Sequence, residues 1–495
     1  MARDWREDRI AELEATVETQ RQTIARLEAT VETQRQTIAR LEATVEAQRA
    51  TVITLEARIR ELEAQLKSNS GNSSRPPSTD PPGAPPPAPP KRTGRRPGAQ
   101  PGHRRMQRPL VPPERVTRTQ VVKPSVCRRC GKPLVGDDPE PHRHQVIELP
   151  KVVATVEEYQ LHTLHCEHCG VSTRATLPPG VPTMQFGPRL QAMVSLSSGD
   201  YGMSKRQIER VVEDFFEIPI ALGSISKLEQ STSEAIAAPV EQVAQAIHHE
   251  PRVHADETGW SEGGKRAWLW VAVAITAPLA LFLVRVRRGA EVAKELLGAA
   301  FAGILISDRW SAYEWVDVTR RQICWAHLLR QFRGFQNLGP EAAPIGRALE
   351  VLTETMFHQW HCIRDGTLSR AAFQAWMEPL RKEVVARLED GQNCSVRKVA
   401  GRCREILALE PALWTFVETE GVEPTNNAAE RALRPAVLWR KRSFGTKSPN
   451  GSLFVGRILT VVTTLRLQQR NVLDYLTAAC QAFLDGRPAP SLLHD

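Results

Sequence analysis

The fourteen residues LEATVETQRQTIAR occur twice in succession, at 13–26 and 27–40. They then decay through LEATVEAQRATVIT into LEARIRELEAQLKS. Fourteen residues are two heptads, so the same side chains return to the same face of a helix. Val17, Ile24, Val31, Ile38, Val45, Val52 and Ile59 take position a, and Leu13, Leu27, Leu41, Leu55 and Leu62 take position d. β-Branched residues at a with leucine at d favour a parallel two-stranded coiled coil. Gln20, Gln34 and Gln48 also fall at d, where a polar side chain weakens the seam and sets its register. Residues 1–67 are therefore expected to form a dimerisation helix, giving a homodimer or a higher assembly.

The heptads stop at SNSGNSSRPPSTDPPGAPPPAPP, which has too little apolar content to bury a core and reads as a semi-extended linker. KRTGRRPGAQPGHRRMQRP follows, with no acid in it, and completes a linker and basic arm over 68–118. Arg95 and Arg96, then Arg104 and Arg105, are pairs separated by Gly and Pro, which suits an arm that follows phosphates or enters a minor groove. The net charge of +9 over 495 residues agrees with a polyanionic partner, double-stranded DNA. The start is charged throughout and has no signal-peptide pattern. The longest apolar run, AWLWVAVAITAPLALFLV, is interrupted by Pro278 and reads as two buried strands rather than a membrane span.

Two Cys-x-x-Cys pairs, Cys127 with Cys130 and Cys166 with Cys169, flank the strand-like runs HRHQVIEL and KVVATVEEYQLHTLHC. A two-residue spacer lets both sulfurs of a pair face one ion, so 119–178 is expected to be a small ribbon around a structural Zn²⁺. The nearby His142, His144, His162, His165 and His168 could substitute for a cysteine. With five other scattered cysteines, the set suits a reducing cytoplasm rather than a disulfide framework. Residues 179–248 read as helical, with Ser204 as an N-cap, a turn at Pro219 and Gly223, and a second helix from Ser224. That resembles a helix-turn-helix, with Lys205 and Arg206 placed to meet DNA.

From 249 the texture becomes α/β. RVHADETGW, RAWLWVAVAI and ALFLVRVRR read as strands, GAEVAKELL as a helix, and AGILISDRWSAYEW as a fourth strand ending at Asp308. Three strands, a helix and a strand is the order of a ribonuclease H-like core, where the first and fourth strands are neighbours. Asp256 and Asp308 would then share one sheet edge, where such sheets place ligands. Two adjacent aspartates repel unless a cation such as Mg²⁺ holds both. Glu430 in EPTNNAAERALRP, on a helix that Thr425 or Asn426 can cap, is the candidate third carboxylate. Arg431, Arg434, Arg440, Lys441 and Arg442 follow it as candidate phosphate contacts. The core is expected over 249–335 and 421–475, split by an all-helical insertion at 336–420 and followed by a tail at 476–495. Trp360, Trp376 and Trp414 of the insertion are expected to be buried. Cys324 and His327 of CWAH are spaced as metal ligands but have no second pair nearby. They could equally orient the active site, contact DNA or serve packing alone, the reading the sequence favours.

HADETGW, SDRWSAYEW, CWAHLLRQF and PTNNAAERALRP, with NSSRPPSTD and GRRPGAQPGHRR upstream, resemble a DDE transposase of insertion-sequence family 66. The resemblance implies a ribonuclease H-like fold and a triad of Asp256, Asp308 and Glu430, supported by Cys324, His327, Asn426 and Asn427. It also implies two divalent ions, Mg²⁺ or Mn²⁺, that clamp the scissile phosphate. Cutting and joining at terminal inverted repeats, and two small accessory proteins from the same element, belong to the same implication. The alternative is a transposase-derived DNA-binding regulator with an inactive core.

Overall fold

A computed structural model describes residues 5–66 and 108–493. The basic arm, with Arg95, Arg96, Arg104 and Arg105, lies outside the described residues. Helix α1 runs unbroken over Trp5–Leu66. Its a and d residues stand at the surface, Val17 45% and Leu27 59% exposed, so a single chain leaves the heptad seam uncovered.

Between 108 and 178 no residue is buried. The expected long strands at 142–162 do not form, and the regular structure between the cysteine pairs is limited to β1 (Thr163–His165), which pairs with β2 (Ser172–Arg174). Val146, Leu149 and Val156 are 80%, 82% and 90% exposed. A strand without an apolar layer to pack against has little to stabilise it.

The rest of the chain is built around one sheet. Helices α2 (Pro188–Gly199), α3 (Lys205–Phe216), α4 (Leu222–Ala235) and α5 (Ala237–His248) come first. Ser204 caps α3 in a reciprocal capping box with Gln207, while α4 begins two residues before the expected Ser224. The strands are β3 (Arg252–Glu262), β4 (Lys265–Ala274), β5 (Leu279–Arg285), then β6 (Ile304–Ser307) after helix α6 (Ala290–Leu297), and β7 (Arg321–Ile323). Their order across the sheet is β5-β4-β3-β6-β7. The first three form an antiparallel meander, and β6 and β7 add in parallel.

The long apolar run is β4 and β5. Among the described residues no helix is long and apolar enough to cross a membrane. Strand β4 is apolar on both faces because both are covered. Trp270, Ala272 and Ala274 join a core with α5 and α6, whereas Leu269, Val271 and Val273 face the α12 side.

After β7 come α7 (Trp325–Phe335), α8 (Ala342–Arg364), α9 (Arg370–Gln392), α10 (Arg397–Leu407) and the short α11 (Thr415–Glu418). They share a second core in which Trp325, Trp360 and Trp414 are buried and Trp376 packs alongside. The chain then returns to the sheet as α12 (Asn427–Ser443), α13 (Pro449–Leu467) and α14 (Val472–Leu484). Edge strand β5 is completed by α13, whose Thr460 and Thr464 hydroxyls accept the N–H groups of Phe282 and Ala280 at 2.9 and 3.0 Å. Gly456 permits this approach, since a Cβ there would sit 3.0 Å from the Phe282 carbonyl oxygen.

The segment expected as a C-terminal tail is not one. Leu476, Ala479 and Cys480 of α14 are buried, the first two in the core shared with α2 and the sheet. Apolar spacing on α14 supplies a face that α2 needs covered. The helices of 179–248 likewise contribute Ala192, Ile236 and Val243 to that core.

Candidate active site

Parallel pairing matches Arg252, Val253 and His254 of β3 with Ile304, Leu305 and Ile306 of β6. Continuing that register by two residues sets Asp256 opposite Asp308, on neighbouring strands about 4.8 Å apart. Alternation along each strand decides the face. Asp256 shares its side of β3 with His254, and Asp308 continues the side of Ile306, so both carboxylates face α12 and α7 rather than α6. One oxygen of each is anchored to the backbone: Asp256 Oδ1 accepts from Glu257 N–H and Asp308 Oδ1 from Trp310 N–H, both at 2.9 Å.

Glu430 reaches the same side through the start of α12. Asn426 does not cap that helix with its side chain, contrary to expectation. Its side chain crosses to the sheet instead: Nδ2 donates to the Ala255 carbonyl at 2.8 Å and Oδ1 meets His254 Nδ1 at 3.2 Å. Since Oδ1 must accept, His254 carries its proton on Nδ1. Asn426 N–H donates to Cys324 Sγ at 3.2 Å, and Trp325 N–H donates to the Pro424 carbonyl at 2.9 Å. The beginning of α12 is thereby fixed to both β3 and α7. Glu430 follows one turn later, with Oε1 3.6 Å from His327 Nδ1 and 3.9 Å from Arg330 Nη2. That oxygen is buried and has no hydrogen-bond partner. Asn427 is exposed at the first helical position.

Burial pushes the Asp256 carboxyl well above its ordinary range, and the neighbouring charges of Glu257, Asp308 and Glu430 push it further. Glu430 is raised by burial and by Asp308, against the opposing pull of Arg330 and Arg431. His254 falls to about 4 because it is buried, and His327 falls to about 4 through burial and Arg330. Burial raises the Cys324 thiol to about 12. Asp256, Asp308 and Glu430 thus influence one another electrostatically on one side of the sheet, and Glu430 carries an orphan oxygen, but their carboxylate oxygens do not all lie within 4.8 Å of one another.

Sequence reasoning missed Glu257. Its carboxyl, on the opposite face of β3 from Asp256, is raised by burial and Asp308 and lowered by Arg288 and Tyr313. Oε1 accepts from Arg288 Nε at 2.9 Å and Nη2 at 2.6 Å, and Oε2 accepts from Tyr313 Oη at 2.8 Å. The Arg288 guanidinium also lies over the rings of Trp310, at 3.8 Å, and Trp268, at 4.4 Å. The available signal was the pair Asp256-Glu257 itself, since adjacent strand residues must face opposite ways.

Residues 183–453 match the Transposase IS66 family, a span containing Asp256, Asp308 and Glu430. The chain belongs to that family. Residues 5–109 match a separate family of unknown function, DUF6444. Two Sinorhizobium fredii (strain NBRC 101917 / NGR234) proteins are similar over most of their lengths. "Uncharacterized protein y4qI" is 24% identical over 416 residues, 75% of this chain and 74% of the relative. "Uncharacterized protein y4hP" is 26% identical over 405 residues, 72% of this chain and 70% of the relative.

The other expected positions of this IS66 family member divide by environment. Cys127 and Cys166 each start a tight turn in which their carbonyl accepts from the glycine four residues on, Gly131 or Gly170, at 2.9 Å. Both glycines have φ of 70°, a conformation other residues rarely adopt. Each pair, Cys127 with Cys130 and Cys166 with Cys169, is thus shaped alike, but the four sulfurs are not gathered. Among the described residues, Cys324, His327 and Glu430 are the one group of three or more candidate ligands with donor atoms mutually within 4.8 Å. The 35 residues between the pairs lack the long strands that would hold them together. Lys205 is engaged with Glu229 at 3.1 Å, and Arg440 is half-buried against Thr258 and the Gly259 carbonyl. Arg206, Arg431, Arg434, Lys441 and Arg442 are exposed.

Proposed function

We propose that the chain is a transposase that binds the terminal inverted repeats of an insertion sequence and carries out metal-dependent DNA cleavage and strand transfer in a ribonuclease H-like core. The register that sets Asp256 opposite Asp308, with Glu430 coupled to both, carries this reading. Bound Mg²⁺ or Mn²⁺ would stabilise charge on the attacking and leaving oxygens of an in-line displacement.

The protein's part is to hold the donors in place. Asp256 and Asp308 are fixed by strand register and by backbone N–H groups, and Glu430 is aimed by Asn426 through Ala255 and His254. The Arg288–Glu257–Tyr313 cluster braces the sheet behind Asp256. Arg431 and Arg434, exposed on α12 beside Glu430, are the cations best placed to meet DNA phosphates. In the N-terminal half, the two matched cysteine turns support a four-thiolate structural Zn²⁺ once drawn together. The uncovered heptad seam supports a homodimer through α1. Contact with two small accessory proteins rests on the family resemblance.

The deciding experiment supplies purified full-length protein with a pre-cut inverted-repeat end, target DNA and Mg²⁺. Joined product that disappears with EDTA and with Asp308→Asn supports the reading. Binding of the end without cleavage or joining in either metal would favour the regulator instead.

A further inference from the structure

Cys324 directly follows β7, its N–H bonded to the Ser307 carbonyl at 2.9 Å, and opens α7 as its N-cap. His327, three residues on, lies over the same side of that first turn. Sγ of Cys324, a ring nitrogen of His327 and a carboxylate oxygen of Glu430 all lie within 4.8 Å of one another. His327 Nδ1 and Glu430 Oε1 are 3.6 Å apart, and both are buried without a hydrogen-bond partner. Two ligand atoms each about 2.1 Å from a tetrahedral ion are separated by about 3.4 Å. The sulfur already accepts the Asn426 N–H, the kind of outer contact that orients a metal-binding thiolate. Sulfur, imidazole and carboxylate together form a borderline-soft donor set, suited to Zn²⁺ and unsuited to Mg²⁺.

We propose that Cys324, His327 and Glu430 form an inhibitory Zn²⁺ site that shares its carboxylate with the catalytic set. The inhibitory role rests on the assignment of Glu430 proposed above; the zinc site itself does not. Ion binding displaces the thiol proton and leaves a fourth position open. Arg330, 3.9 Å from Glu430 Oε1, balances that carboxylate in the metal-free protein and must swing aside. With zinc seated, Glu430 is drawn towards α7 and is lost to the aspartate pair, so the two metals compete for one side chain.

The test uses the full chain, in which the Cys127–Cys130 and Cys166–Cys169 turns would also take up thiophilic ions. Wild type, Cys324→Ser and His327→Gln are equilibrated with Zn²⁺, dialysed, and their zinc content measured, with circular dichroism as the folding check. Wild type should hold one ion more per chain than either variant. Its Co²⁺ derivative should show a thiolate charge-transfer component that Cys324→Ser lacks and Cys166→Ser retains. Equal zinc content in all folded proteins overturns the site. In strand transfer with Mg²⁺, each variant measured against its own zinc-free rate should need at least tenfold more Zn²⁺ for half-inhibition. Equal sensitivity despite unequal content overturns the inhibitory role. If no protein joins DNA in Mg²⁺, the inhibitory role falls together with the transposase reading, while the content measurement still decides the site.

Discussion

Residues 108–178 and residues 252–323 are nearly equal in length but opposite in construction. The first stretch buries nothing, and its order comes from two glycine-closed turns, a single 3-10 turn at Pro113–Arg115, one pair of three-residue strands and the side-chain bonds of Arg143 and Gln145 to Val111. The second forms a five-stranded sheet whose strand β4 is covered on both faces. The candidate site profits from this difference. Strand register and alternation position Asp256 and Asp308 without any ion, whereas the four cysteines have no packed layer to bring them together. In one region apolar burial positions the proposed site, and in the other a metal would have to build the region.

The most severe test of this contrast is removal of the acids. Asp256→Asn, Asp308→Asn or Glu430→Gln should lower strand transfer by about 10³-fold or more. The metal-free Asp256→Asn protein should melt no lower than wild type, because burial already disfavours the ionised carboxyl. A loss of less than tenfold would break the assignment. Next, a strong zinc chelator, or Cys127→Ser with Cys166→Ser, should expose 119–178 to limited proteolysis while the sheet stays protected. Simultaneous loss of both regions would erase the distinction.

Protonation sharpens the comparison within the sheet. His254 is held near 4 in the fold, below its ordinary 6.5. Between those values the unfolded chain binds a proton that the folded chain refuses, so its contribution is lost as pH falls from 6.5 through 4. The stability gap between wild type and His254→Gln, read from denaturant melts, should narrow by up to roughly 3 kcal/mol from pH 7 to pH 4. The raised carboxyls of Asp256, Glu257 and Glu430 act oppositely, but they are common to both proteins and largely cancel in the difference.

Asn426→Ala should leave the Ala255 carbonyl and His254 Nδ1 unpaired, at a cost of about 1–3 kcal/mol. Strand transfer should fall by about 10- to 100-fold with cation affinity reduced, since Glu430 loses its support. The smallest effect is expected at the seam: replacing Gln20, Gln34 and Gln48 with Leu should raise the melting temperature of the α1 assembly without altering catalysis.

The parts of the fold legible in the sequence were those with strong local periodicity. The heptads gave α1, and the apolar run broken by Pro278 gave β4 and β5. The order of strands placed β3 beside β6. Less legible was whatever depends on a partner distant in the chain. Asn426 reads as a cap, and only its proximity to Ala255 shows that its side chain is used elsewhere. Val146 to Val156 read as strand because β-branched residues favour it, yet no layer covers them. The apolar face of α14 gave no hint that α2 would receive it. Glu257 was hidden by its neighbour, although the alternation of side chains predicts that one of the two must point to the α6 side.

The common offset of Asp256 and Asp308 along β3 and β6 also dictates where the gene can change length. Adding or deleting a single codon between Arg252 and Asp256, or between Ile304 and Asp308, would rotate one carboxylate to the wrong side of the sheet. The connection from Arg364 to Arg370 carries no such restriction, whereas the hairpin between Glu262 and Lys265 is pinned by the Gly263 N–H on the Thr446 carbonyl at 2.8 Å. Indels should therefore be tolerated at that connection and purged from two five-residue windows.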